Sequence, residues 1–371
     1  MKVTVHKRDL ASTLRLLGKV VNKRSVLPVA RMVRMEAGKN LRIQAWTPGK
    51  SFMSVEITAS NIEKGTSYAD HPTLVKTFKA MGNVVTLEDE GAGIKVSDGE
   101  VSVPVYGVTE EEAPTMRMED KGVKVVGKFN TESLVKGMDD VLFSMSDDTT
   151  RSYINCLHME MGKKGEIRMV TTDGHRITIS GDVPKKSVMF DINGDSVKAV
   201  KAFLDYFVTV EDEVTISVGK EVLMMCAGEA VMEVKAANSA FPPYDASVVA
   251  PVLGRPYAIL DAEDLAVAAH KACKLSRFAE SKKHGTYTVE AEFRDKDVVL
   301  RPVDVEATDI LVSYTGADMR GKKVHFNADY LNDAMRVTEG KVSWHVQDAE
   351  SGTALVSARG WIHILMPVRV K

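Results

Sequence analysis

The chain has 371 residues, 44% hydrophobic and 27% charged, with 49 basic against 51 acidic side chains and a formal net charge of −2. That is a globular balance with apolar material for two or three domains, and it excludes a protein that grips a polyanion by overall charge, because such proteins are basic. No apolar run reaches the roughly eighteen residues of a membrane span, MKVTVHKRDL has no signal-peptide stretch, and Cys156, Cys226 and Cys273 lie far apart without metal-ligand spacing, so a cytoplasmic protein without a disulfide framework or metal is expected.

In chain order, a strand running into an amphipathic helix opens each third of the sequence: TVHKRDLASTLRLLGKVV at 4–21, KFNTESLVKGMDDVLFSM at 128–145 and AILDAEDLAVAAHKACKLS at 258–276. Asp9, Thr131 and Asp261 stand where N-caps are expected. Apolar residues then recur at helical spacing, as in Leu10, Leu14, Leu17 and Val21. A second helix follows in each third: HPTLVKTFKAMG at 71–82, NGDSVKAVKAFLDY at 193–206 and NADYLNDAMRVTEG at 327–340. Alternating strands with Gly- or Asp-rich turns come after each, Val214, Ile216 and Val218 being one such alternation. The period, about 125–130 residues, is the size of a domain and too long for a solenoid repeat. Three tandem α+β domains are therefore expected, at 1–121, 122–253 and 254–371, each with two helices on antiparallel sheets.

Charge is uneven along this plan. The first helical stretch carries Lys7, Arg8, Arg15, Lys19, Lys23 and Arg24 against Asp9 alone, and the 71–82 helix adds Lys76 and Lys79. Lys198 and Lys201 lie on adjacent turns of the fourth helix, Arg151 precedes Tyr153, and Lys271, Lys274 and Arg277 mark the fifth. A nearly neutral chain with basic helices can still turn a positive face to phosphate, although such residues are usually a solvated helix face.

Two short strings stand out. In TTDGHRITIS, 171–180, Asp173-Gly174 is a turn pair between strands. It reads as a charged hairpin turn, as the lip of a surface groove, or as a catalytic pair in which Asp173 orients His175 as a general base. The catalytic reading needs a nucleophile, and no G-x-S-x-G string supplies one. The C-terminus, ILMPVRVK, is apolar almost to its last residue and reads as a terminal strand. Because Pro367 cannot donate to a ladder, that strand is expected at a sheet edge. Its methionine beside apolar residues suits a surface that accepts varied peptides. No phosphate-cradling loop and no metal-ligand cluster occurs, so no cofactor is expected.

The threefold order, TTDGHRITIS and the MPVRV ending together resemble the bacterial DNA polymerase III β subunit family, the sliding clamps. FSMSDDTTRSYINCLHME at 142–160, AFPPYDA at 240–246 and SVLPVAR at 25–31 resemble further family segments. The resemblance implies a non-enzymatic processivity factor: a head-to-tail dimer closed into a ring, helices lining the hole, duplex DNA held through it without sequence readout. It also implies a groove that takes short peptides from DNA polymerase, the clamp loader and other partners. On that likeness the groove would be formed by Ile154, Thr172, Gly174, His175, Arg176, Ile177, Pro242, Asn327, Tyr330, Ile364, Met366, Pro367, Val368, Arg369 and Val370. Arg24, Arg151 and Tyr153 match DNA-facing positions, to which helix charge adds Lys23, Lys76, Lys79, Lys198 and Lys201. Leu275 and its neighbour Lys274 match the subunit interface, with Val101 and Val103 as facing residues.

The chain departs from the family pattern in three places. Asp245 and Ala246 follow the Phe-Pro-x-Tyr segment where a basic residue is usual, AWTPGK at 45–50 replaces a Thr-Asp-Leu string, and Lys274 replaces an apolar residue. A lysine there can bury its stem and keep its charge wet. The alternative that this departure keeps open is a clamp-like peptide-binding adaptor that forms no stable ring.

Overall fold

A computed structural model of the chain describes residues 1–113, 122–279 and 285–369. Seven α-helices are found among the described residues: α1 Lys7–Leu17, α2 His71–Ala80, α3 Thr131–Val141, α4 Gly194–Phe207, α5 Ala250–Leu253, α6 Ala262–Ser276 and α7 Ala328–Met335. The order strand, helix, strands, helix, strands occurs three times, and α5 is the addition that the sequence pattern did not foretell. None of the described helices is long and apolar enough to cross a membrane.

Capping follows the expected chemistry at some helices and not at others. The Asp261 carboxylate accepts from Glu263 N at 3.0 Å and caps α6. Thr131 is instead the first residue of α3, and its neighbour Asn130 accepts from Ser133 N at 2.8 Å. For α1 the strand Lys2–His6 runs straight into the helix, so His6 takes the cap position without a side-chain bond and Asp9 falls in the first turn, where its charge favours the positive helix end.

The described residues gather into two compact units, the first made of 1–135, 161–165 and 186–237, the second of 136–160, 166–185 and 238–371. In the first unit the strands 60–63, 2–6, 84–89, 93–97 and 102–106 form one sheet in that order. A second, eight-stranded sheet runs 124–130, 213–218, 222–227, 230–235, 51–57, 41–47, 32–37 and 65–70. Pairing of Val231 with Ser54 and of Val234 with Ser51 joins strands from the first and second repeats into this one sheet. Leu10, Leu14 and Leu17 of α1 and Val197, Phe203 and Leu204 of α4 are buried to 1% exposure or less, which is the apolar helical spacing of the sequence turned inward.

In the second unit antiparallel strands follow in the order 167–172, 176–180, 362–365, 353–357, 341–345, 257–261, 310–316, 297–302, 288–293 and 323–327. Phe293, Phe326 and Trp344 sit at its core beside α6 and α7, with Phe293 and Trp344 edge to face at 5.4 Å between ring centres. The C-terminal strand Ile362–Leu365 is internal, paired with 176–180 on one side and 353–357 on the other. This corrects the expected edge position. The ladder stops at Leu365, before Pro367, so the missing N–H falls beyond the sheet and not in it.

Candidate functional site

The hairpin 167–172/176–180 is closed by five residues whose chemistry fixes the turn. Gly174 adopts φ 92°, a conformation that L side chains rarely enter. Asp173 Oδ1 accepts from His175 N at 2.9 Å and Arg176 N at 3.1 Å, and Thr172 Oγ1 donates to the Arg176 carbonyl at 2.6 Å. Asp173 thus holds backbone and guanidinium, not the His175 ring, so the acid–base pair considered from the sequence is not assembled.

Arg176 is the tie of this region. Its Nε meets Asp173 Oδ2 at 3.0 Å, Nη1 meets Asp333 Oδ2 at 3.1 Å and Nη2 donates to the Phe143 carbonyl at 2.7 Å. The guanidinium also lies 4.1 Å from the Tyr330 ring centre. One buried side chain therefore fixes the hairpin to α7 and to the segment after α3. Ile177 pairs with Ile364, and Met366 N donates to the His175 carbonyl at 2.9 Å, so the chain beyond the last strand is held against the turn. Val368 N then donates to the His325 carbonyl at 2.7 Å.

These elements bound a cavity of about 380 Å3 lined by Arg151, Tyr153, Ile154, Thr172, Gly174, His175, Arg176, Ile177, Phe241, Pro242, Pro243, Tyr244, Val248, Ile364 and Met366. An apolar interior with a few placed polar groups is the usual make-up of a ligand groove. The turn 148–154 supplies one lip: Asp148 accepts from Thr150 Oγ1 at 2.6 Å and pairs with Arg151 at 2.8 Å. Those bonds, the hydroxyl first and Arg151 next, hold its carboxyl down at about 2.

The opposite wall rests on a buried polar layer. Tyr244 donates to Glu160 Oε1 at 2.6 Å, His158 stacks on Phe241 at 4.8 Å, and Arg168 lies 5.2 Å from the Tyr244 ring centre while pairing with Asp245 at 3.0 Å. The Glu160 carboxyl is held below the usual range by its bonds to His158 and Tyr244, against the opposing effect of burial. Burial, then the bond to Glu160, pushes the Tyr244 phenol up. Both aromatic walls are thus fixed from behind.

Of the fifteen residues expected here, nine line the cavity: Ile154, Thr172, Gly174, His175, Arg176, Ile177, Pro242, Ile364 and Met366. Asn327 is occupied as the α7 cap, accepting from Asp329 N at 2.9 Å, and Tyr330 lies against Arg176. Pro367, Val368 and Arg369 continue past the cavity, and Val370 lies outside the described residues. Arg151 and Tyr153, expected toward DNA, line this cavity too. Phe241, Pro243, Tyr244 and Val248 were missed; the first three lie in the quoted AFPPYDA string, and Val248 lies in a short helical stretch, 245–253, that the repeat pattern did not foretell.

The other expected residues lie elsewhere. Arg24, Lys76 and Lys198 are exposed, whereas Lys201 pairs with Asp205 at 2.5 Å. Lys23 and Lys79 line a second cleft, between α1 and α2. Val103 sits on the edge strand 102–106 with Val101 half exposed beside it. Lys274 is exposed and Leu275 half-buried; Phe278, not singled out from the sequence, is 76% exposed just past α6.

Residues 128–243 match the family model for the DNA polymerase III beta subunit, central domain. The chain is 24% identical over 388 residues to the beta sliding clamp of Caulobacter vibrioides and 23% identical over 388 residues to that of Pseudomonas aeruginosa, with 100% of both chains covered in each case. Its fold matches the crystal structure of the Pseudomonas aeruginosa DNA polymerase III subunit beta with TM-score 0.84 at 19% identity, covering 100% of each chain. It matches the Thermotoga maritima beta subunit with TM-score 0.83 at 18% identity, again covering 100% of each. A Pseudomonas aeruginosa sliding clamp bound to griselimycin matches with TM-score 0.85 at 20% identity, covering 100% of each. Three repeats of this α+β unit together with these likenesses define the class, a DNA polymerase processivity factor and not an enzyme. Residues 128–243 carry the central domain of the DNA polymerase III β subunit family, and the chain is similar along its whole length to the β sliding clamps, as a divergent relative.

Proposed function

We propose that the chain acts as a DNA sliding clamp in the cytoplasm: a head-to-tail homodimer of three-domain subunits, with domain limits near 122 and 254, that encircles duplex DNA and tethers polymerase, clamp loader and other partners by short linear peptides. The apolar cavity between the 172–177 turn, Tyr244 and Met366 carries the peptide half of this reading. An interface of that size binds weakly, with Kd on the order of micromolar, which lets partners exchange. Basic α1 and α2 support the DNA half, because contacts to phosphate alone carry no sequence and leave the protein free to slide.

The test is titration of a fluorescent clamp-binding peptide. Replacing Met366 with Glu should abolish binding without altering the dimer, and unchanged binding would refute the groove assignment. The adaptor reading has its own observation, the exposed Lys274 beside Leu275. Sedimentation at tens of micromolar distinguishes the two: a mass near twice 40.6 kDa supports the ring, and a persistent monomer supports the adaptor.

A further inference from the structure

The cleft between α1 and α2 is about 480 Å3, larger than the peptide groove, and its lining is of two kinds. The floor is apolar: Ala11, Leu14, Val75 and Phe78. Around it stand Lys7, Arg15, Lys19, Lys23 and Lys79, with no acidic residue in the lining. Lys7 is used in the fold, since its ammonium donates to the Lys79 carbonyl at 3.3 Å and the Met81 carbonyl at 2.5 Å, tying the start of α1 to the end of α2. Arg15, Lys19, Lys23 and Lys79 are exposed and, among the described residues, meet no carboxylate in an ion pair.

The cleft is built, and not a gap between two solvated helices. Buried His71, in the first turn of α2, lies 2.7 Å by Nε2 from the Leu14 carbonyl, spanning the two helices. Gly18 makes that approach possible, because a Cβ there would lie 2.9 Å from His71 Cε1.

We propose that this cleft seats an unpaired nucleotide of single-stranded DNA, the base against the apolar floor and its flanking phosphates on Arg15, Lys19, Lys23 and Lys79. The inference rests on the clamp reading for its choice of polyanion, and the rest comes from the lining. A base keeps its hydrogen-bonding groups in its own plane, so its face can cover half-buried Ala11 and Val75, with buried Phe78 beneath them, while its edge stays wet; apolar surfaces take bases this way without regard to sequence. An extended acidic peptide laid on the same floor would strand its backbone N–H and C=O groups, for which the floor has no partners. A duplex keeps its bases stacked, so it can use the cationic rim only. The cleft therefore distinguishes single from double strands, which phosphate contact alone does not.

The experiment is equilibrium binding of the full chain to a fluorescent single-stranded oligonucleotide and to its duplex at one low salt concentration. Ala11→Trp, which fills the floor and keeps every charge, should weaken single-strand binding at least tenfold and leave duplex binding within twofold. Lys19→Glu should weaken both, and weaken single strands more than Lys76→Glu, which makes the same charge change outside the cleft. Arg15→Glu gives an exposed second rim variant should Ala11→Trp unfold. Equal loss for Lys19→Glu and Lys76→Glu, or single-strand binding unmoved by a folded Ala11→Trp, would overturn the proposal, as would displacement of the oligonucleotide by an acidic helical peptide at lower concentration than by unlabelled single strand. Peptide titration of the 172–177 groove and the sedimentation mass are unaffected by these variants, so failure here is separable from failure of the clamp reading.

Discussion

Replacing Arg176 with Ala removes the side chain on which the peptide groove is assembled. Its three hydrogen bonds and its contact with Tyr330 end together; Asp173, 16% exposed, loses its cation, and Asp333, 25% exposed, keeps only Arg336 at 3.4 Å. Breaking a buried ion pair costs about 3–5 kcal/mol, and the partial exposure of the two carboxylates lets water recover a share, which leaves about 2–4 kcal/mol. Arg176→Lys keeps the charge but cannot reach Asp173, Asp333 and the Phe143 carbonyl at once, because the planar fork is lost; about half of the loss should persist. Urea unfolding followed by a probe in residues 136–160, 166–185 or 238–369 reads the stability, and peptide titration below the transition reads the groove. Affinity should fall in both variants, since His175 and Met366 are positioned by the turn that Arg176 anchors. An Arg176→Ala protein within 1 kcal/mol of the parent, or a lysine variant indistinguishable from it, would refute the argument, since neither agrees with the cost of a broken buried pair.

Three further predictions follow from particular groups. His363 is fully buried, bonded by Nδ1 to Thr178 at 2.7 Å and stacked on Trp361, and burial pushes its pKa down to about 3. Since the unfolded chain takes up that proton near pH 6.5 and the fold does not, stability falls as pH drops from about 6.5 to about 3, by roughly 3 kcal/mol at pH 4.5; His363→Gln should show a smaller drop in urea midpoint between pH 7 and 4.5, and an equal drop would contradict the assignment. Tyr244→Phe takes the phenol from Glu160, which should cost about 1–3 kcal/mol and weaken peptide binding through the wall residue itself; calorimetry of both quantities checks this, and a neutral result for both refutes it. Lys274→Ile should tighten self-association in sedimentation, and an unchanged dissociation constant would place position 274 outside the interface.

Local chemistry was the most legible part of this protein. The Asp173-Gly174 turn, the Asp261 cap and the two helices of each repeat follow from rules that act within a few residues. What the sequence left unread depends on neighbours distant along the chain. Pro367 marks where the last ladder ends, but whether a strand has one neighbour or two is decided by 176–180 and 353–357. Tyr244 looked like an ordinary member of a Phe-Pro-x-Tyr string until its bond to Glu160, eighty-four residues away, fixed it as groove wall. Arg151 was legible as a cation and not as a lip of the cavity, because the walls it shares the cavity with, Gly174, Pro242 and Met366, come from distant parts of the chain. Charge counting found the basic helices, whereas the apolar floor between α1 and α2 needed the packing that His71 and Gly18 permit.

The central claim is that this protein encloses DNA. The measurement that tests it most directly is retention on DNA after incubation with a clamp loader and ATP, compared between a nicked circle and the same molecule cut once. Retention on the circle through a salt wash, with release on cutting, is the predicted result, because a ring can leave only by an end. Equal retention on both forms, or none on either with an active loader, would contradict it.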